Sequence, residues 1–305
     1  MDTLFIIFQY IVPQHLLSRA VGWVAECEWP WLKNRFITTF INKYNVNMSE
    51  ALDPEPYNYK NFNAFFTRQL KPDARPIIDG EKNIACPADG AISQLGQVTG
   101  DRVFQAKGQS FSLSELLGGE EATTAPFADG EFSTIYLSPK DYHRIHMPMA
   151  GTLRQMIHVP GKLFSVNPVT AENVPNLFAR NERVVCIFDT ASGPMALVLV
   201  GAMIVAGIQT AWAGLSAPAG KHPLQQDHSA DGSERLDHGV YQEDASGGFW
   251  TLASGGDVLD ADSNVIARAT LEDVLAHAAA GGATWELQQL WTPSERDFLP
   301  TFRDE

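Results

Sequence analysis

Between residues 90 and 212 the chain is cut into short β-type runs by Gly, Pro, Asp and Asn, and this punctuation narrows the folds open to it. The runs are Gly90 to Gly96, Val103 to Lys107, Phe132 to Leu137, Leu153 to Val159, Val184 to Asp189, Met195 to Val200 and Ile204 to Trp212. Many short strands joined by turns predict a mainly antiparallel sheet. One helical interlude, Ser112 to Leu117, breaks the series, with Ser112 or Ser114 as its cap. Upstream, Tyr57 to Arg75 reads as a short connecting helix closed off by Pro72 and Pro76. The expected class is α+β, with N-terminal amphipathic helices followed by a mainly antiparallel β core.

Residues 1 to 50 carry Phe5, Ile6, Ile7, Phe8, Leu16, Leu17, Val21, Trp23, Val24, Trp29, Trp31 and Leu32 among Arg19, Lys33, Arg35 and Lys43. Aromatic residues beside basic ones suit a helix lying in the headgroup plane of a membrane, apolar face down. The same pattern also serves a helix packed on its own domain. Leu4 to Val12 is too short to span, since a spanning helix needs about 20 apolar residues. With no basic start and no small-residue cleavage site, it does not read as a signal peptide.

Charge separates the chain into two compositions. Residues 215 to 305 hold 5 Lys or Arg against 16 Asp or Glu, a net of −11 out of the −14 of the whole chain. An acidic protein of this kind is not built to grip a phosphate backbone, so no nucleic-acid partner is expected. Cys27, Cys86 and Cys186 are too far apart to suggest a disulfide framework or a zinc knuckle. The acidic tail is turn-rich to Gly248, then offers a short apolar segment, an Asp-rich turn from Asp257 to Asn264, and a helix that Thr270 can cap.

Two segments carry candidate chemistry. Cys86-Pro87-Ala88-Asp89-Gly90 places a carboxylate on a turn that leads into a strand, although an Asp-Gly turn is often only a turn. Asp141-Tyr142-His143-Arg144-Ile145-His146-Met147-Pro148 sets two histidines three residues apart, directly after another strand. A histidine is the usual proton carrier near neutral pH and needs an orienting group, which Asp89 can supply if the fold brings the two together. Two imidazoles at this spacing could also ligate a metal, but Pro148 argues against the helix that would align them, so no metal is expected. A metal hydrolase using Asp89, His143 and His146 is the distant alternative.

With Asn63-Ala64-Phe65-Phe66-Thr67-Arg68, Gln105-Ala106-Lys107-Gly108, Phe164-Ser165-Val166-Asn167, Asn176 to Arg183 and Val200-Gly201-Ala202, these segments resemble bacterial phosphatidylserine decarboxylase proenzymes. The resemblance runs from Ile11 to Gly214. It implies an enzyme that makes its own cofactor, a covalent pyruvoyl group (bound pyruvate) formed from a serine when the chain cuts itself. It further implies a relay of Asp89 and His146 that activates the serine, and a role for His143 in decarboxylation and protonation. Phosphatidylserine would be the substrate, and the enzyme would sit peripherally at the cell membrane on its cytoplasmic side, as a homodimer. The implied organisation is a helical membrane-associating region over 1–75, a catalytic β chain over 76–253 and a small α chain over 254–305.

The serine itself stands in an altered frame. Gly248-Phe249-Trp250-Thr251-Leu252-Ala253-Ser254-Gly255 occupies the place of the family's Leu-Gly-Ser-Thr stretch, which makes Ser254 the pyruvoyl precursor and Ala253-Ser254 the scissile bond. Ala253 replaces a glycine and Gly255 a threonine. Because such cleavage draws on backbone strain at that peptide, the rival reading is a phospholipid-binding homologue that no longer processes itself.

Overall fold

The computed structural model describes residues 2–72, 74–75, 84–106, 108–210 and 213–217, with the strand backbones at 224–227, 235–236, 256–259, 265–269 and 285–286. The α+β expectation is borne out: three helices, α1 (Asp2–Ile11), α2 (Gln14–Ala25) and α3 (Pro30–Tyr44), precede antiparallel sheets. The chain divides into two compact units, each assembled from separate stretches of sequence.

The first unit comprises Met1–Trp23, Gly96–Phe132 and Gly151–Leu236. Its sheet elements are the hairpin β2 (Arg102–Ala106) and β3 (Gln109–Ser112), then β5 (Gly151–Val159), β6 (Arg183–Thr190), β7 (Gly193–Val200), the pair β8 (Ile208–Thr210) and β9 (Gly214–Ala217), β10 (Leu224–Asp227) and β11 (Arg235–Leu236). Strand β6 is central in the order β10-β5-β6-β7, and β11 also pairs with β5. Every residue from Arg183 to Phe188 is buried, which is why β6 reads as a continuous apolar run rather than an alternating one. Gly193, at φ +113, closes the tight β6–β7 hairpin whose register runs from Arg183↔Val200 to Thr190↔Gly193. Against this sheet Val98, Val103, Phe111, Leu113, Leu117, Ile157, Val185 and Ile187 form one core.

Helices α1 and α2 reach this unit through amides. Gln9 Oε1 accepts from Ser165 N at 2.9 Å, and Gln14 Oε1 accepts from Leu163 N at 2.7 Å, with both glutamines buried. The outer faces stay open, leaving Leu4, Ile11, Leu16 and Trp23 each more than half exposed. No single described helix is long and apolar enough to cross a membrane, though α1 and α2 together, bent by 90°, have the length and composition of a broken span.

The second unit comprises Val24–Leu95, Ser133–Ala150 and Asp237–Glu305. Helix α3 and the short α4 (Phe62–Phe66) enclose an aromatic cluster in which Phe62, Phe65 and Ile37 are buried and Phe40 packs edge-on to Phe62 at 5.0 Å. Among the described residues of the stretch expected as one helix from Tyr57 to Arg75, helix is confined to Phe62–Phe66 and to the 3-10 turn Pro56–Asn58 that overlaps its start. Asn61 starts a fresh N-cap there, its side chain accepting from Ala64 N. Strands β1 (Ala91–Gln97) and β4 (Glu131–Tyr136) lie in one sheet with β14 (Trp285–Glu286), whose backbone pairs with Ala91 and Ile92. A turn expected from Asp257 is instead strand at its start: β12 (Gly256–Leu259) pairs with β13 (Val265–Ala269), the apolar Val258 and Leu259 extending against Ala267 and Val265. The helix expected after Thr270 lies outside the described residues, as does Ala253-Ser254.

Strands β1, β4, β5, β6 and β7 lie within a residue or two of their expected positions. The helix at Leu113–Leu117 (α5) is capped by Ser112, whose hydroxyl accepts from Glu115 N. Ile204 to Trp212 is not one strand. Ala202 and Val205 bridge across a tight turn in which Ile204 takes φ +62, and strand begins only at Ile208.

Candidate active site

Pro87-Ala88-Asp89-Gly90 and the histidine segment are joined by backbone. His146 N donates to Pro87 O at 2.9 Å, and Ala85 N donates to Pro148 O at 2.7 Å, so the Asp89 turn runs beside the segment that ends at Pro148. Gly90 allows this approach, since a Cβ there would overlap the Tyr136 carbonyl. Asp89, His143 and His146 are therefore brought into one unit, while Ser254 lies outside the described residues.

Asp89 is 1% exposed, and its two oxygens are both taken by Arg75, Nε at 3.0 Å and Nη2 at 2.6 Å. Arg75 Nη2 also reaches Glu50 at 2.9 Å and Nη1 donates to Ala74 O. Burial alone would lower the pKa of this guanidinium, but the Asp89 hydrogen bonds and the charges of Asp89 and Glu50 outweigh it and raise the pKa. Cys86, beside the turn, is an inert thiol that burial pushes up to about 12.

Both histidines are held neutral. His146, 3% exposed, is lowered to about 3 by burial and then by the Arg144 charge, and its Nε2 sits 3.0 Å from Tyr142 Oη. His143 is lowered to about 4, again chiefly by burial, with the Asp141 carbonyl opposing and Arg68 reinforcing the shift. Its Nδ1 lies 2.9 Å from that carbonyl. A carbonyl only accepts, so Nδ1 carries the proton and Nε2 is left as the basic atom. The ring lies against Phe66 with centroids 3.9 Å apart. Burial also raises the pKa of Asp141, in spite of its bonds from Ser138.

Arg75, Glu50, Tyr142 and Phe66 carry no local sequence signal that marks them for the site. Arg75 stood in plain view at the end of the connector, but its partnership with Asp89 exists only once the chain folds. Among the described residues no group of three or more His, Cys, Asp or Glu side chains is placed to hold a metal.

This arrangement has known relatives. Residues 62–245, more than half of the chain and inclusive of Asp89, His143 and His146, match the family model described as phosphatidylserine decarboxylase. The chain belongs to the phosphatidylserine decarboxylase family. A second model, described as PSD, matches residues 4–45. The phosphatidylserine decarboxylase proenzyme of Bordetella pertussis is 60% identical over 241 residues, covering 78% of this chain and 81% of that protein. That of Marinobacter nauticus is 61% identical over 240 residues, 78% of this chain and 84% of its own. The proenzyme of Pseudomonas putida W619 is 66% identical over 215 residues, 70% and 75% of the two chains. The family match ends before Ala253, so the altered setting of the expected serine lies beyond it.

Proposed function

We propose that this chain is a phosphatidylserine decarboxylase proenzyme: a carboxy-lyase that cuts itself at Ala253-Ser254 and then turns phosphatidylserine into phosphatidylethanolamine and carbon dioxide. The observation that carries this reading is the 60–66% identity to decarboxylase proenzymes over most of the chain. In maturation the Ser254 hydroxyl attacks the Ala253 carbonyl, the resulting ester eliminates, and the new N-terminus hydrates to a ketone with loss of ammonia. The bound pyruvoyl group supplies the ketone that captures the substrate amine and the electron sink for decarboxylation.

The described side chains fit such a group, because its chemistry asks for neutral proton carriers and burial holds both imidazoles in that state. We assign His146 to take the Ser254 proton, with Asp89 on the neighbouring turn stabilising the charge that results. His143 receives and returns protons at Nε2 during decarboxylation, its ring fixed by the Asp141 carbonyl and Phe66. An intact-mass measurement on purified protein is expected to find two chains, the smaller comprising residues 254–305 with a blocked N-terminus. A single uncut chain that releases no carbon dioxide from phosphatidylserine would instead establish the non-processing homologue.

The substrate is a lipid, and the exposed faces of α1 and α2 suit its surroundings. We place the enzyme peripherally on the cytoplasmic side of the cell membrane, with Leu16 and Trp23 entering the interface, and as a homodimer there. Replacing both by serine is expected to weaken co-sedimentation with phosphatidylserine vesicles by about tenfold or more, given ~1.5–3 kcal/mol for each buried apolar side chain. Unchanged sedimentation would remove these helices from the membrane contact, and sedimentation velocity in detergent reads the dimer.

A further inference from the structure

Arg68 is 4% exposed, yet among the described residues its Nε and Nη1 have no hydrogen-bond partner. Its Nη2 donates to Lys140 O at 3.2 Å, and the guanidinium lies over the Phe65 ring at 5.5 Å. No carboxylate forms an ion pair with it among the described residues, in contrast to Arg75, which holds two. A buried guanidinium with idle donors is an expensive thing to maintain, because buried polar groups are nearly always bonded. Arg68 also stands next to the chemistry. Residues 66–68 are laced to 140–144: Phe66 covers His143, Arg144 Nε donates to Thr67 O at 2.8 Å, and Lys140 O anchors Arg68 itself.

We propose that the idle donors of Arg68 bind the phosphodiester anion of the aminophospholipid headgroup. This rests on the decarboxylase reading and adds to it the residue that holds the headgroup. Phosphatidylserine offers two anions. A guanidinium clamped on the carboxylate would stabilise the very charge that must depart as carbon dioxide, which favours the ground state over the transition state. The phosphodiester keeps its charge throughout, so holding it strengthens binding without opposing the reaction. Three single bonds separate phosphorus from the α-carbon at which carbon dioxide leaves, so an anion site beside His143 is where a bound substrate would put its phosphate. Burial, which lowers the pKa of this guanidinium, also strengthens its attraction for an anion that displaces no water from it.

The test uses the full chain as wild type, Arg68→Gln and Arg68→Lys, with glycerophosphoserine, glycerophosphoethanolamine and inorganic phosphate as soluble probes. Maturation is read as two chains on a gel, and binding of the probes by 31P NMR, which needs no turnover. Arg68→Gln is expected to mature, to raise KM for phosphatidylserine about tenfold or more with little change in kcat, and to lose binding of both glycerophosphodiesters, with partial recovery in Arg68→Lys. Glycerophosphoethanolamine has no carboxylate, so its binding to the wild type isolates the phosphodiester. Inorganic phosphate binding alone would make this a free-phosphate site and overturn the proposal. A fall in kcat at constant KM, loss of maturation in both variants, or probe binding that survives Arg68→Gln would each assign Arg68 a structural role instead. If the decarboxylase reading is the one at fault, the wild type itself stays uncut and inactive, and the NMR titration still decides the anion site.

Discussion

Arg75→Met is expected to destabilise the second unit by about 3–5 kcal/mol, the range for removing one partner of a buried ion pair. Arg75 is 4% exposed and bridges Asp89, which is 1% exposed, to Glu50, so its loss strands a carboxylate that water cannot reach. Whole domains are stable by only about 5–15 kcal/mol, so an effect of this size shows as a large shift in urea or thermal unfolding. The double variant Arg75→Met with Asp89→Leu is expected to recover most of that stability, since apolar replacement of both partners leaves nothing unpaired. It is not expected to recover self-cleavage, because Asp89 is then gone from the proposed relay. If the single and double variants unfold alike, the pair does not hold the Asp89 turn.

Acid is the second large lever. His146 and His143 sit in the fold with values near 3 and 4, against about 6.5 in an unfolded chain. Below 6.5 the unfolded chain therefore binds two protons that the native one refuses, and stability falls with pH at about 1.4 kcal/mol per unit for each ring. The loss begins near pH 6.5 and continues down to about 4 for His143 and about 3 for His146. By pH 5 the two together remove about 4 kcal/mol. Asp141 acts in the opposite sense, since its raised value means the native state takes up that proton first, but it is one group against two. Urea titrations at a series of pH values read the slope, and stability that stays flat from 6.5 to 5 would show that the rings are not held neutral. His143→Gln is expected to make the slope shallower.

What could be read in advance follows from how local each signal is. Strand β6 announces itself because Val184 to Phe188 is apolar throughout and holds the β-branched Val184, Val185 and Ile187, and α5 because Ser112 caps it within three residues. Strand β3, Gln109–Ser112, escaped notice because Gln-Ser-Phe-Ser has one buried apolar residue and pairs only as a hairpin arm. The over-long strand at Ile204 failed for the converse reason. Met203-Ile204-Val205 has strand composition, but the bridge from Ala202 to Val205 and a bond from Ile204 N to Ser18 hold it as a turn. In the site, Asp89, His143 and His146 stood out by residue type and resemblance. Arg75 and Arg68 did not, since a buried arginine is defined by the carboxylates and carbonyls that surround it, and those are set by tertiary structure.

The amide anchors of α1 and α2 also set an order of events during synthesis. Gln14 meets Leu163 across 149 residues, and Gln9 meets Ser165 across 156. These two helices thus leave the ribosome well before the segment at 163–165 that receives their buried faces. For that interval both faces of each helix are available, to a bilayer or to a chaperone. A chain released from this state in the absence of lipid would be expected to aggregate through α1 and α2, and one made beside a membrane would have these helices adsorbed before its sheet exists.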